Sequence, residues 1–122
     1  MQDYKRIKVW QAGYGLVLDV YRLTDLFPKS EIYSLTSQLR RAAVSIPSNI
    51  AEGTAKESDI DFARFLDIAL GSTFEIECQL MIAQKLDYMC IDIFDNLYSR
   101  VDEIKKMLSS LIRSVRDAQL KT

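Results

Sequence analysis

Hydrophobic residues recur along the chain at intervals of three and four, the spacing that places side chains on one face of an α-helix. The first such pattern predicts a helix from about Asp3, a suitable N-cap, to about Asp25. Gly13 and Gly15 weaken the middle of this helix and are expected to allow the close approach of another backbone. The apolar residues form two stripes, which predicts two neighbouring helices. One stripe comprises Ile7, Trp10, Tyr14, Val17 and Tyr21, and the other comprises Val9, Leu16, Val20, Leu23 and Phe27.

A proline-containing turn separates the first helix from the second. Pro28 predicts this turn, because proline disfavours helical backbone at the residue before it. The second helix has apolar positions from Ile32 onward and is expected to end near Gly53. Pro47 falls inside it and is expected to kink it near residues 44–46, since proline removes one backbone hydrogen bond.

Two further helices have the steadiest apolar spacing in the chain. The third is expected from an N-cap at Ser58 to about Asp87, and the fourth from around residues 90–92. The seam of the third comprises Phe62, Leu66, Ala69, Thr73, Ile76, Leu80 and Ala83. The seam of the fourth comprises Leu97, Val101, Ile104, Leu108, Leu111 and Val115. Because the connections are short, the sequence predicts one all-α domain over residues 1–122, an antiparallel up-down-up-down four-helix bundle.

The composition narrows the possible chemistry. Histidine is absent from the 122 residues, which removes Ser-His and Cys-His pairs and the commonest zinc ligand. Cys78 and Cys90 are too far apart for a redox pair and are expected to be ordinary reduced thiols. We find no signal-peptide core and no membrane-spanning run, so a cytoplasmic location is expected. We therefore expect no catalytic residues, no metal site and no cofactor.

Charge is distributed unevenly, although the net charge is only −1. Residues 1–56 carry eight basic and five acidic side chains, residues 57–103 three basic and eleven acidic, and residues 104–122 five basic and one acidic. Segments of opposite charge should attract each other within one bundle, or leave a basic face and an acidic face. The other interpretation is ordinary solvated surface charge without a partner.

The densest polar cluster lies on the second helix and its exit. Ser45, Asn49 and Glu52 share a face beside Pro47, where they could satisfy backbone groups that the proline leaves free. A contact to a ligand or to nucleic acid is the alternative interpretation.

Two adjacent arginines on this helix are expected to divide their roles. Arg40 lies next to the apolar side and is expected to reach Glu75 of the third helix across the bundle. Arg41 lies on the polar stripe, available to phosphate or to a neighbouring subunit.

Several segments together resemble a known family. The longest reads QLRRAAVSIPSNIAEG (residues 38–53), and the others are Val9-Trp10-Gln11, Phe27-Pro28, Arg64-Phe65-Leu66 and Gly71-Ser72 with Glu75. Over about residues 4–115 the chain is similar to the four-helix-bundle proteins encoded in intervening sequences of bacterial 23S rRNA genes. It also resembles the accessory protein of diversity-generating retroelements. The resemblance implies a barrel-like homopentamer without enzymatic activity. The retroelement proteins further imply nucleic-acid and reverse-transcriptase binding through a basic surface.

These observations favour a non-enzymatic homo-oligomer that binds RNA or DNA. The basic first and second helices and the basic C-terminus supply the candidate phosphate-binding residues: Lys5, Lys8, Arg41, Lys105, Lys106, Arg113 and Arg116. Trp10, Tyr14 and Tyr21 are expected at the oligomer interface, because large apolar surfaces seldom stay exposed on monomers. The alternative is a structural or protein-protein interaction scaffold without nucleic-acid binding, which salt would weaken much less.

Overall fold

The computed structural model describes residues 3–120, in which all regular secondary structure is helical. The α-helices are α1 (Lys8–Thr24), α2 (Leu35–Thr54), α3 (Asp59–Lys85) and α4 (Ile91–Leu120). Short 3-10 turns at Tyr4–Arg6 and Lys29–Glu31 precede α1 and α2. The predicted all-α fold with four helices is therefore confirmed for the described part of the chain.

Two helices begin later than the sequence predicts. Asp3 is an N-cap, but its carboxylate accepts a hydrogen bond from the Lys5 amide (3.1 Å) in the first 3-10 turn, and α1 begins only at Lys8. Ile32 lies before α2, because the backbone angles of Ser34 (φ −124°, ψ −108°) are not helical and α2 begins only after this residue. The Ile32 side chain is exposed. Both predicted starts are wrong for the same reason: a 3-10 turn, not a continuous helix, leads the chain into each α-helix.

The core lies along one face of each helix. The α1 stripe that begins at Val9 is buried, with no member more than 6% exposed. Six of the seven predicted seam residues of α3 are completely buried, and Phe62 stays partly exposed. In α4 the buried residue is Ile112 instead of the predicted Leu111. The reason is that an α-helix drifts relative to a strict heptad repeat.

The two glycines of α1 have different surroundings. A Cβ at Gly13 would lie 2.9 Å from Ile46 Cγ2, so the absence of a side chain lets α2 pack closely. A Cβ at Gly15 would meet only Arg100 Nη2, at an ordinary distance of 3.6 Å. The prediction of close approach is confirmed for Gly13 and wrong for Gly15, because the helix beside Gly15 presents a long charged side chain there.

Polar contacts link neighbouring helices. They are Arg40–Thr24 between α2 and α1 (2.8 Å), Ser72–Ser45 between α3 and α2 (2.8 Å), Lys105–Glu77 between α4 and α3, and Arg100–Asp19 between α4 and α1 (2.6 Å). The connections after α1 and α3 also meet, since the Tyr88 hydroxyl donates to the Glu31 carboxylate at 2.7 Å. One flank of α1 therefore faces α2 and the other faces α4, while the two connections share one end of the fold.

Pro47 lies well inside α2, as the sequence predicts, and it is buried. The kink that it should cause stays a prediction. Among the described residues, 3–120, we find no helix that combines the length and the apolar character needed to cross a membrane.

Candidate functional site

Three of the seven candidate phosphate-binding residues are engaged with carboxylates of the same chain. Lys105 pairs with Glu77 of α3. Lys106 pairs with Asp102 one turn earlier in α4 at 3.2 Å. Arg116 reaches α3 in the same way, through two hydrogen bonds to Asp67. Most basic side chains at the end of α4 are therefore paired with carboxylates of the acidic segment, residues 57–103. This agrees with the attraction that the segment charges predict.

The other four candidates make no ion pair within the described residues. They are Lys5, Lys8, Arg41 and Arg113. Lys8 lines a cleft between the start of α1 and the second half of α4, together with Lys106. Arg113 lines the adjoining cleft, which shares Ser110 and Ser114 with the first. Arg41 lies apart from them, between α2 and α3, so the structure does not bring all seven residues to one surface.

The basic residues on the α1–α4 side are not alone there. Glu103 lines the cleft that holds Lys8 and Lys106, and Asp117 lines the one that holds Arg113. The local excess of positive charge is therefore small. We call the surface formed by Lys8, Lys106 and Arg113 the α1–α4 basic surface.

Arg40 does not reach Glu75, and that prediction is wrong. Its Nε donates to Thr24 Oγ1 at 2.8 Å and its Nη2 to Asp25 Oδ1 at 2.9 Å. Its guanidinium also lies 4.6 Å from the centre of the Tyr21 ring. The physical reason is that Arg40 stands on the side of α2 that faces α1, so its partners come from the end of α1.

Ser45 and Asn49 form a local network that extends to α3. Asn49 Nδ2 donates to the Ser45 carbonyl (2.8 Å) and to Ser45 Oγ (2.9 Å). The Ser72 hydroxyl lies 2.8 Å from Ser45 Oγ and 3.2 Å from the Ile68 carbonyl. Ser72 was not predicted as a partner of Ser45, although it is a small polar residue one turn before Glu75 on the same side of α3.

The network does not satisfy the backbone group that Pro47 leaves without a hydrogen bond. Pro47 has no N–H for the carbonyl of Ala43, four residues earlier, yet the Asn49 amide bonds the Ser45 carbonyl. Glu52 is exposed, and its carboxylate joins no hydrogen bond or ion pair in the described part of the chain. The network therefore fastens α2 to α3 without replacing the hydrogen bond that the proline removes.

A cleft of about 360 Å³ opens between α2 and α3, beside this network. Its α2 wall consists of Gln38, Arg41, Ala42 and Ser45, and its α3 wall consists of Ser72, Glu75 and Gln79. We call it the α2–α3 cleft. Gln79 is only 9% exposed, and its Oε1 has no hydrogen-bond donor.

Aromatic side chains form a partly exposed stack on α1. Trp10 packs edge-on against Tyr4, with ring centres 5.2 Å apart, and stacks on Tyr14 at 5.0 Å. Tyr14 is 50% exposed and Tyr21 is 41% exposed. The three aromatic residues predicted for an oligomer interface thus stay accessible to a partner.

Two titratable groups have perturbed pKa values. The hydrogen bond from Arg100 lowers the pKa of Asp19, with a smaller contribution from Arg22, while burial of the carboxylate opposes the shift. The hydrogen bond to Glu31 raises the pKa of Tyr88, because ionisation would place two negative charges side by side. Both shifts belong to contacts between elements of the fold.

Residues 3–120 contain no group of three or more Cys, Asp or Glu side chains placed to hold a metal ion. Cys78 and Cys90 are both exposed free thiols.

The described residues thus define an all-α protein whose four helices leave polar clefts between them. The chain belongs to the 23S rRNA-intervening sequence protein family, whose family model matches residues 5–110. A search of curated proteins finds no match.

A solved structure has the same fold. It is a protein of unknown function from the S23 ribosomal protein family of Bacteroides thetaiotaomicron VPI-5482, with a TM-score of 0.80 and 24% sequence identity. The similarity covers 86% of this chain and 95% of that chain.

Proposed function

We propose that the protein is a homo-oligomeric, up-down-up-down four-helix bundle in the cytoplasm, which binds RNA or DNA through the α1–α4 basic surface and catalyses no reaction. The observation that carries the nucleic-acid proposal is the convergence of Lys8, Lys106 and Arg113 on adjoining clefts, where Lys8 and Arg113 have no carboxylate partner among the described residues.

The registers of the interhelical contacts support the up-down arrangement. Along α1 and α2, Gly13 approaches Ile46 whereas Thr24 meets Arg40, so positions rise along one helix as they fall along the other. The contacts Lys105–Glu77 and Arg116–Asp67 have the same reversed order between α4 and α3. Such registers belong to antiparallel neighbours.

Oligomerisation would strengthen a weak basic surface. One subunit offers two unpaired cations and one paired lysine, which is a small phosphate-binding footprint. A closed assembly repeats that footprint, and a polyanion that contacts several copies gains avidity without any new type of contact. The partly exposed Trp10–Tyr14 stack and the half-exposed Tyr21 are the surface that we assign to a second copy, and the family resemblance favours a pentamer.

The oligomer is tested by sedimentation. We expect the parent protein to sediment well above its 14.0 kDa subunit mass at micromolar concentration. The variant Tyr14→Lys should shift the distribution toward the monomer, whereas Ile68→Lys, which places a lysine at a similarly exposed apolar position on α3, should not. A parent protein that sediments as a 14.0 kDa particle contradicts the proposal.

Nucleic-acid binding is tested with two variants of equal charge change. The double variant Lys8→Ala/Arg113→Ala removes two unpaired cations from the α1–α4 basic surface. The control, Lys29→Ala/Lys85→Ala, removes two lysines that also lack ion pairs in residues 3–120 and lie at the end of the fold formed by the two connections. Anisotropy of labelled single-stranded RNA at low salt should show at least about tenfold weaker binding for the first variant, while the control should bind nearly as the parent does.

A scaffold without nucleic-acid binding is the second candidate, and one observation favours it. Exposed apolar side chains gather at the end formed by the two connections: Leu26, Ile32, Tyr33, Leu86 and Ile91. An apolar surface of this kind is typical of protein-protein contacts. Equal losses of RNA affinity in the two double variants, or no RNA binding by the parent protein at low salt, would favour the scaffold.

A further inference from the structure

The α2–α3 cleft has a charged hydrogen-bond donor on its α2 wall and a charged acceptor on its α3 wall. Arg41, on α2, can only donate, and Gln38 lies one turn before it. Glu75, on α3, can only accept when ionised, and Gln79 lies one turn after it. Arg41 and Glu75 form no ion pair with each other or with other described residues, so both charges remain available.

The floor of the cleft consists of small side chains, two of which are hydrogen-bonded to each other. The cleft is open at this point because the side chains of Ala42, Ser45 and Ser72 are small. The hydrogen bond between Ser45 and Ser72, at 2.8 Å, links the two helices. Asn49 supplies a further hydrogen bond to Ser45. The floor is thereby held in place, and a volume of about 360 Å³ lies within the range of small-molecule sites.

The buried amide oxygen of Gln79, which has no hydrogen-bond donor, is a second and independent observation that points to a ligand. Gln79 is more than nine-tenths buried and lines the cleft, and its Oε1 is the one buried side-chain polar atom of residues 3–120 without a hydrogen bond. Native structures seldom leave such an atom unpaired. The last torsion of a glutamine side chain is soft, so Oε1 can turn to meet a donor that enters the cleft.

We propose that the α2–α3 cleft binds a small zwitterion of the amino-acid type. Its carboxylate accepts hydrogen bonds from the Arg41 guanidinium, and its ammonium group donates to Glu75 and to Gln79 Oε1. One unpaired cation and one unpaired anion in the cleft match the two charges of such a ligand. This site goes beyond the proposed nucleic-acid binding and is independent of it, because none of its residues belongs to the α1–α4 basic surface.

Thermal unfolding of the full-length oligomer in the presence of each standard L-α-amino acid, at millimolar concentration, tests the site. A ligand that binds only the folded state raises the melting temperature, and the shift grows with the ligand concentration relative to the dissociation constant. We expect at least one free amino acid to do so. Its N-acetyl derivative lacks the ammonium group and its amide derivative lacks the carboxylate, so each should bind at least about tenfold more weakly.

Substitutions then assign the effect to the cleft. Arg41→Gln and Glu75→Gln should each abolish the stabilisation by the amino acid, whereas the matched surface changes Arg64→Gln and Glu57→Gln should retain it. Gln79→Leu should also abolish it. Without ligand, Gln79→Leu should melt no lower than the parent protein, because it removes an unpaired buried amide. Should this variant fail to fold, Glu75→Gln decides the question.

Several outcomes would overturn the proposal. One is the absence of stabilisation by any free amino acid. Another is equal stabilisation by the N-acetyl or the amide derivative, which would show that the site does not require both charges of the ligand. Stabilisation by guanosine monophosphate but by no amino acid would assign the cleft to a nucleobase instead. RNA binding by the parent protein is measured separately, so failure of this proposal and failure of the nucleic-acid proposal are distinguishable.

Discussion

The two flanks of α1 are held against their neighbours by different forces. On the α2 flank, Ile46 packs so closely against Gly13 that a Cβ at this position would lie only 2.9 Å from Ile46 Cγ2. This contact is apolar. On the α4 flank, Gly15 has only the end of Arg100 nearby, and Arg100 is bonded to Asp19 at 2.6 Å. Close apolar packing at Gly13, together with the Arg40 contacts at the end of α1, joins α1 to α2, whereas the contact with α4 near Gly15 is a charge pair beside open clefts.

This difference between the flanks determines where the fold has space for a ligand. A closely packed flank offers no space to a ligand, because protein interiors are packed to crystalline density. The α4 flank keeps clefts lined by charged side chains, including Lys8 and Glu103. The proposed phosphate contacts therefore lie where the helices are held apart, and stability is expected to depend chiefly on the other flank.

Loss of packing at Ile46 should destabilise the protein more than any other change on these two flanks. Ile46→Ala removes a completely buried side chain from the α2 flank and should lower the free energy of unfolding by about 2–5 kcal/mol. Met107→Ala, on the partly exposed α4 flank, should cost clearly less. Urea unfolding of both variants measures the difference, and equal losses would remove the distinction between the flanks.

The second effect tests the close approach directly. Gly13→Ala should gain about 1 kcal/mol of helix propensity but lose about 1–3 kcal/mol by overpacking against Ile46, giving a net destabilisation. Chemical denaturation measures the net change. A stabilised Gly13→Ala would show that α2 moves away without cost.

The matched change on the other flank should have the opposite sign. Gly15→Ala places a methyl group at ordinary contact distance from Arg100, so it should stabilise the protein by about 0.5–1 kcal/mol through helix propensity. The same denaturation experiment checks it. A loss as large as that of Gly13→Ala would mean that both flanks are closely packed.

The smallest effect concerns the charge pair of the α4 flank and depends on pH. Because Arg100 lowers the pKa of Asp19 below its ordinary value of 3.8, the pair stabilises the fold above that value, and the contribution is lost as pH falls through the lower folded-state pKa. Asp19→Asn should therefore cost about 0.2–1 kcal/mol at neutral pH, the range for exposed pairs, and nothing in strong acid. Unfolding of parent and variant across pH 2–7 measures the convergence. A constant difference would assign the effect to something other than ionisation.

Sequence periodicity was sufficient for the helices and for most of the core, because burial repeats with the helical period. The buried stripe of α1 and six of the seven seam residues of α3 were predicted correctly, whereas Phe62 in α3 stays partly exposed and Leu111 in α4 was wrong by one position. The helix starts were missed because a 3-10 turn has no apolar period. No local pattern distinguishes Gly13 from Gly15, since the difference lies in the side chains that α2 and α4 present.

The candidate site was less predictable, because it depends on which charges find partners across the fold. Lys105 and Arg116 looked available in the sequence, but their partners Glu77 and Asp67 lie on another helix. Arg40 likewise pairs with Asp25 instead of Glu75. Gln79 gave no signal at all, since only the folded structure shows that its amide oxygen is buried without a donor.

RNA binding through the α1–α4 basic surface should weaken as the salt concentration rises. Each phosphate contact made by a cation should contribute about 0.7 to the slope of log affinity against log salt for a single strand. We predict a clear negative slope for the parent protein and a shallower one for Lys8→Ala/Arg113→Ala, by at least about 1.4 units for two lost contacts. An affinity that does not change with salt, or an unchanged slope in the double variant, would contradict nucleic-acid binding through the α1–α4 basic surface.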